Sequence, residues 1–92
     1  MKVIFLPSAA NDLLWFRSYY TTVFPEGERK AMRQVEKLFQ LLEANPYMGQ
    51  PGKVEGTRRK PVPRTPFVLL YRVTDTQIEV LRLRDSRQGY DD

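Results

Sequence analysis

The chain has 92 residues and a net charge of +4, and it contains neither cysteine nor histidine. These absences exclude disulfides, thiol and serine-triad chemistry and the usual zinc ligands, and they remove the commonest general base near neutral pH. A chain of this length fills one core, so we expect residues 1–92 to form one domain. No apolar run is long enough to cross a bilayer, and we expect a cytoplasmic protein without a metal or cofactor.

The positive charge is concentrated in the second half of the chain. Residues 1–52 carry six basic and five acidic side chains, whereas residues 53–92 carry nine basic and six acidic ones. Such asymmetry favours an acidic or polyanionic partner for the second half. The alternative interpretation is an arginine-rich surface that only keeps the protein in solution, because net charge concerns association and does not identify the partner.

The first half of the chain predicts one strand followed by two helices. Residues 3–6 are a short apolar run that a proline ends, which is typical of a strand covered on both faces and not of an exposed edge strand. Ser8 is a good N-cap for a helix over residues 8–20, and apolar residues at helical spacing predict a longer helix over residues 26–44. Pro46 stops the second helix. The short link between the two helices predicts an antiparallel hairpin.

The second half of the chain predicts a loop and three strands. Glycines and prolines in residues 47–56 are typical of a loop. Residues 58–63 predict a strand, but its two prolines restrict it to a sheet edge or to irregular pairing. Residues 67–73 and 77–84 predict two further strands. The expected fold is therefore α+β in the order β-α-α-β-β-β, with the helical hairpin packed on one face of a small, mostly antiparallel sheet.

Alternation along the last predicted strand assigns its side chains to two faces. Ile78, Val80, Arg82 and Arg84 fall on one face, because successive side chains of a strand point to opposite sides. Basic residues on the preceding loop and strand add to this charge. We therefore expect a sheet with one dry side and one cationic side.

Three arginines could meet at one end of such a sheet. If the last three strands form a meander, Arg64, Arg84 and Arg87 lie near one another, and their forked guanidinium groups could hold phosphate or carboxylate. A nuclease site would also need a group that moves protons, and Tyr90 is the nearby candidate.

Two aromatic residues flank the apolar stripe of the first predicted helix. Trp15 and Tyr19 lie four residues apart and therefore share one helix face. One interpretation makes them part of a surface that binds a partner. The other makes them the edge of the core, where aromatic side chains usually pack.

The segments NPYMGQPG, RRKPVPRTPFVLLYRV and IEVLRLRDSRQ, together with the predicted element order, resemble the RelE/ParE superfamily of type II toxins. The resemblance covers nearly all of the chain. It implies a small toxin, encoded in a bacterial or plasmid two-gene module and neutralised by a cognate antitoxin, ParD-like or similar. Placed on the cationic side of the sheet, the antitoxin would form salt bridges with Arg58, Arg59, Arg64, Arg82 and Arg84.

Members of the superfamily differ in their cellular target, and the residues of the last strand help to indicate which target applies. RelE-like members cut messenger RNA on the ribosome with lysines and arginines on the sheet and a late tyrosine or histidine. Related sequences often end in R-I-R-H-G-R-Q, whereas this chain has RLRDSRQ, so that Asp85 replaces the histidine. An aspartate there would repel phosphate. Val68 also occupies a position where RelE-like members can carry an arginine.

ParE-like members need no such apparatus, because they are described as poisoning DNA gyrase by binding. The prolines of RRKPVPRTPF resemble that branch more closely. We therefore expect a ParE-like gyrase inhibitor, more a binding protein than an enzyme, whose target-binding residues are Trp15, Tyr19 and Arg87. The alternative is a ribosome-dependent ribonuclease that acts on messenger RNA through Arg64, Arg84, Arg87 and Tyr90.

Overall fold

The computed structural model describes residues 1–88. They form two α-helices and five strands, which is the α+β fold that the sequence predicts, with one additional short strand. Neither helix in this part of the chain has the length and apolarity needed to cross a membrane. The bounds are β1 Lys2–Phe5, α1 Pro7–Val23, α2 Glu28–Ala44, β2 Gln50–Pro51, β3 Thr57–Pro61, β4 Phe67–Val73 and β5 Gln77–Asp85.

The five strands form one sheet in the order β1-β5-β4-β3-β2. β1 pairs with β5 in parallel, and the other three pairs are antiparallel. The mostly antiparallel sheet is therefore confirmed, but β1 lies at its edge, where the sequence predicted a strand covered on both sides. Its apolar composition has another cause, because Phe5 packs edge-to-face on Phe39 of α2 with ring centroids 5.3 Å apart. β2 lies within the predicted loop and pairs with β3.

The core lies between the helical hairpin and one face of the sheet. Phe16 of α1 meets Phe67 of β4 with ring centroids 4.6 Å apart, and both side chains are buried. Helix α1 begins at Pro7 with Leu6 as its N-cap, so the predicted cap at Ser8 is wrong. The other buried apolar side chains include Ala9, Ala31, Val35, Leu38, Leu42, Leu69, Tyr71, Ile78, Val80 and Leu83.

A β-bulge in β5 reverses the side-chain alternation of that strand. Tyr71 of β4 pairs with Val80, whereas the preceding residue, Leu70, pairs with Arg82, so Leu81 is an extra residue without an opposite partner. A bulge of one residue moves every later side chain to the other face. Arg82 and Arg84 therefore lie on the face opposite Val80, and the prediction that they share its face is wrong.

Helix α1 completes the edge of β5 beyond the end of β1. The last backbone hydrogen bond on that edge runs from Leu6 N–H to Val80 O at 3.0 Å. The Ser8 hydroxyl then donates to Leu81 O at 2.8 Å, and Asp12 Oδ2 accepts from Leu83 N–H at 3.0 Å. Two side chains of α1 thus satisfy backbone groups that a longer β1 would otherwise have paired.

The hydroxyl of Tyr71 attaches the loop after α2 to the sheet. It donates to Pro46 O at 2.8 Å and accepts from Gly49 N–H at 2.9 Å, and the side chain is fully buried. A Cβ on Gly49 would lie 2.6 Å from this oxygen, so glycine is required for the contact. Burial raises the pKa of Tyr71, which keeps the hydroxyl protonated and able to donate.

We expect Tyr71→Phe to lower the free energy of unfolding by about 1–3 kcal/mol, because it leaves the buried Gly49 N–H without an acceptor. Urea denaturation followed by circular dichroism measures the loss. The matched control is Tyr47→Phe, since Tyr47 is 62% exposed and should lose no more than about 0.5 kcal/mol. Equal stability of the two variants would contradict the role given to this hydroxyl.

Candidate functional site

Cross-strand pairing collects arginines on the sheet face that the helices leave open. Arg59 of β3 lies opposite Leu70, and Leu70 lies opposite Arg82, so these three side chains form one row on the same face. The next row places Arg84 opposite Val68. We call this surface the arginine face and define it by Arg59, Arg72, Arg82, Arg84, Val68 and Leu70.

Arg82 is oriented by a carboxylate of α1. Its Nε donates to Asp12 Oδ2 at 2.7 Å and its Nη2 donates to Asp12 Oδ1 at 3.1 Å. This bidentate pair is only partly exposed, with 35% of the Arg82 side chain and 16% of the Asp12 side chain accessible. Since Asp12 also accepts from Leu83 N–H, the same carboxylate holds the strand edge and the guanidinium. Arg82 therefore contributes to the fold as well as to the arginine face.

Arg72 belongs to the arginine face although sequence reasoning did not select it. Its Nε donates to Glu79 Oε1 at 2.6 Å across the β4–β5 pair. Arg72 and then Gln77 lower the pKa of Glu79 through hydrogen bonds to its carboxylate. The signal was available, because alternation along β4 places Arg72 on the side opposite Tyr71.

Two of the five predicted antitoxin-binding arginines lie away from this face. Arg58 pairs with Tyr71 on the core side of the sheet and donates from Nη1 to Tyr47 O and Gly49 O, at 3.2 and 2.8 Å. Its guanidinium also lies 5.1 Å from the centroid of the Tyr47 ring, so this side chain holds the loop. Arg64 is exposed in the turn between β3 and β4, with a φ of 62°.

Asp85 is neutralised within the protein. Its carboxylate is 4% exposed and accepts from Arg87 three times, from the backbone N–H at 2.9 Å, from Nε at 3.0 Å and from Nη2 at 2.7 Å. These hydrogen bonds from Arg87 lower the pKa of Asp85. From the sequence we expected Asp85 to repel phosphate, whereas in the structure its carboxylate positions Arg87.

The three predicted target-binding residues form one contiguous surface. Trp15 stacks on Tyr19 with ring centroids 5.8 Å apart, and the Arg87 guanidinium lies 5.1 Å from the centroid of the Tyr19 ring. Trp15 and Tyr19 also contact the buried Phe67, but Trp15 remains 46% exposed. The rings therefore border the core, as the second interpretation predicts, and they also face solvent, while binding of a partner stays a prediction. We call Trp15, Tyr19 and Arg87 the aromatic patch.

Two residues of the predicted ribonuclease set, Arg64 and Arg84, line different cavities. Arg64 lines a groove beside α2, whereas Arg84 lines a separate pocket of about 210 Å³ near Trp15 and Asp85. Arg87 is held by Asp85, and Tyr90 lies outside the described residues. Within residues 1–88, no cluster of three or more acidic, histidine or cysteine side chains could ligate a metal.

Comparison with known proteins identifies the family. The family model described as ParE toxin of type II toxin-antitoxin system, parDE, matches residues 3–90. The chain belongs to the ParE toxin family. Among solved structures it is similar to a chromosomal ParDE TA system from P. aeruginosa, at 30% sequence identity and a TM-score of 0.77, over 92% of this chain and 95% of that one.

Two further structures show the same fold at lower identity. A YoeB/ParE toxin from Agrobacterium tumefaciens has 17% identity and a TM-score of 0.66, over 92% of this chain and 98% of that one. A YoeB dimer from Staphylococcus aureus has 15% identity and a TM-score of 0.64, over 91% and 94%. No curated protein sequence matches the chain. The protein is thus a ParE-type toxin of a type II toxin-antitoxin system, as the sequence resemblance predicts.

The Asp85–Arg87 pair should make the free energy of unfolding depend on pH in the acid range. In the folded protein the pKa of Asp85 lies below its ordinary value of 3.8. The pair therefore stabilises the protein above about pH 4, and this contribution is lost as the pH falls through the folded pKa. We expect Asp85→Asn to lose about 1–2 kcal/mol of stability at pH 7 and to show a smaller further loss at pH 3 than the parent. Urea denaturation at the two pH values measures both.

The control for this pair is Ser86→Ala. It removes the hydrogen bond from the Ser86 hydroxyl to Pro66 O at 2.8 Å without changing the carboxylate. We expect it to lower stability equally at both pH values. If Asp85→Asn and Ser86→Ala show the same dependence on pH, the carboxylate does not act through its charge.

Proposed function

We propose that this ParE-type toxin inhibits DNA gyrase by binding it, and that a cognate antitoxin neutralises the toxin by covering the arginine face. The family match over residues 3–90 supports the gyrase assignment, since ParE-like toxins are described as gyrase poisons. The similarity to a ParDE system supports a ParD-like antitoxin as partner. Action on these two partners would require the toxin to be in the cytoplasm.

The arginine face fits an acidic segment that also carries apolar residues. Val68 and Leu70 lie between Arg59 and Arg84 in adjacent cross-strand rows, so charged and apolar groups alternate across the surface. Carboxylates bind guanidinium groups through charge-assisted, bidentate hydrogen bonds. Oppositely charged surfaces also speed association, and burial of apolar side chains slows dissociation. An antitoxin segment with this composition would cover several arginines at once.

The aromatic patch is our candidate for the contact with gyrase. Tryptophan, tyrosine and arginine are the residues enriched at the energetic centres of protein interfaces. Here the three are already held in place, since Arg87 is fixed by Asp85 and Tyr19 lies between Arg87 and Trp15. Rigid side chains lose little conformational freedom on binding, which favours affinity. This supports a role in recognition that needs no chemical step.

Inhibition of gyrase should depend on the aromatic patch. Purified toxin should inhibit supercoiling by purified gyrase, and Trp15→Ala should weaken the inhibition at least about tenfold, as expected for a residue worth roughly 1.5–2 kcal/mol at an interface. Leu14→Ala is the matched control, because Leu14 is the adjacent residue and is 68% exposed. Cleaved messenger RNA on translating ribosomes, with supercoiling unaffected, would favour the ribonuclease alternative instead.

Binding of the antitoxin should depend on the arginine face. Arg59→Glu should weaken binding of the antitoxin encoded beside the toxin gene by about 2 kcal/mol or more, because it places a like charge opposite an acidic segment. Isothermal titration calorimetry measures the affinity. Arg29→Glu is the matched control, since Arg29 is exposed on α2 and lies outside the arginine face. Equal effects of the two substitutions would show that the antitoxin binds elsewhere.

A further inference from the structure

A groove on the helical side of the molecule shares only Tyr19 with the aromatic patch, and its other lining residues have no role in the proposed function. It has a volume of about 480 Å³ and runs between the end of α1, the exposed side of α2 and the turn between β3 and β4. The arginine face lies on the open side of the sheet and is a different surface. The groove is lined by Tyr19, Tyr20, Phe24, Gly27, Lys30, Ala31, Arg33, Gln34, Lys37 and Arg64.

Four of these lining residues are cations and none is acidic. Lys30, Arg33 and Lys37 lie three and four residues apart on α2, so they form one stripe along the groove, and all three are exposed. Arg64 is also exposed and approaches from the sheet side. Glu26 and Glu28 lie beside Lys30 and Arg33 in a neighbouring pocket, but no carboxylate lines the groove itself. The groove therefore presents an excess of positive charge that attracts an anion.

Three aromatic residues, Tyr19, Tyr20 and Phe24, also line the groove, together with Gly27, Ala31 and Gln34. Phe24 is 56% exposed, and Tyr19 is partly buried beside it. Phe24 is held against Gly27, since a Cβ on that glycine would lie 2.3 Å from Phe24 Cδ2. No leucine, isoleucine, valine or methionine lines the groove. An acidic peptide anchored by aliphatic side chains would find little to pack on, whereas a planar base could stack on a ring.

We propose that this groove binds single-stranded nucleic acid, with successive phosphates along Lys30, Arg33 and Lys37 and a base stacked on Phe24. The helical rise separates these three cations by about 4.5 and 6 Å along α2, which follows the course of a phosphate backbone. A single strand is favoured over a duplex because the faces of paired bases are covered by their neighbours and cannot reach a ring. The proposal does not depend on whether gyrase is the target.

The test uses the full chain and a short fluorescein-labelled oligothymidylate, with binding followed by fluorescence anisotropy across a series of salt concentrations. Contacts to three phosphates predict a slope of about −2 in the plot of log affinity against log salt concentration, since each contributes about −0.7 on a single strand. We expect an unlabelled single strand to compete better than a duplex of the same length.

Two matched double variants separate the groove from general charge. Lys30→Gln with Arg33→Gln removes two cations of the stripe and should reduce the slope by about 1.4 and the affinity at low salt about tenfold. Lys2→Gln with Arg29→Gln removes the same two residue types at exposed positions that do not line the groove, and it should leave both nearly unchanged. Thermal melts check that both variants fold like the parent.

Phe24 tests the stacking separately from the charge. Phe24→Ala should weaken oligothymidylate binding by roughly fivefold or more without changing the salt slope, whereas Phe24→Trp should retain the affinity. The proposal is overturned if both double variants lower the affinity equally, if the duplex binds more tightly than the single strand, or if a glutamate-rich peptide binds the groove and the oligonucleotide does not. Gyrase inhibition is measured in parallel, so failure here is distinct from failure of the proposed function.

Discussion

The carboxylate of Asp12 is the contact on which the arginine face depends. It accepts from the backbone of Leu83 and from the guanidinium of Arg82, at the point where β1 has ended and the bulge at Leu81 has reversed the alternation of β5. Without a partner on this edge, the segment after the bulge would carry an unpaired N–H beside the core. The side chain of Asp12 therefore stabilises the reversed side-chain alternation of β5, which places Arg82 and Arg84 on the open face of the sheet.

The arginines of this chain divide into those that build the fold and those that remain accessible. Arg58 holds the loop after α2, and Arg87 is positioned by Asp85. The side chains of Arg59 and Arg64, in contrast, form no hydrogen bond or ion pair with another of the residues 1–88. Arginine suits both tasks, because its planar group keeps its charge and forms several directed hydrogen bonds. Counting basic residues in the sequence does not separate these two groups.

Hydrophobic periodicity was sufficient to predict the helices and most strands, but a strict alternation assigned Arg82 and Arg84 of β5 to the wrong face. The run Ile78-Glu79-Val80-Leu81-Arg82-Leu83-Arg84 contains two adjacent apolar residues, and a phase change there keeps Glu79, Arg82 and Arg84 on one face. The signal for the bulge was thus present in the sequence. The role of Asp85 could not be read from the sequence, since its pairing with Arg87 requires the tight turn that follows β5. The groove beside α2 was also missed, because its walls come from three distant segments.

The position of Trp15 makes its fluorescence sensitive to whether a ligand covers this part of the surface. It is the sole tryptophan of the chain, it stacks on Tyr19, and nearly half of its surface is in contact with solvent. Indole emission shifts to shorter wavelength when water is excluded from the ring. A ligand that covers the indole can therefore be followed without attaching a dye. Because Trp15 also lines the pocket that contains Arg82 and Arg84, a ligand that enters this pocket from the arginine face would shift the spectrum as well.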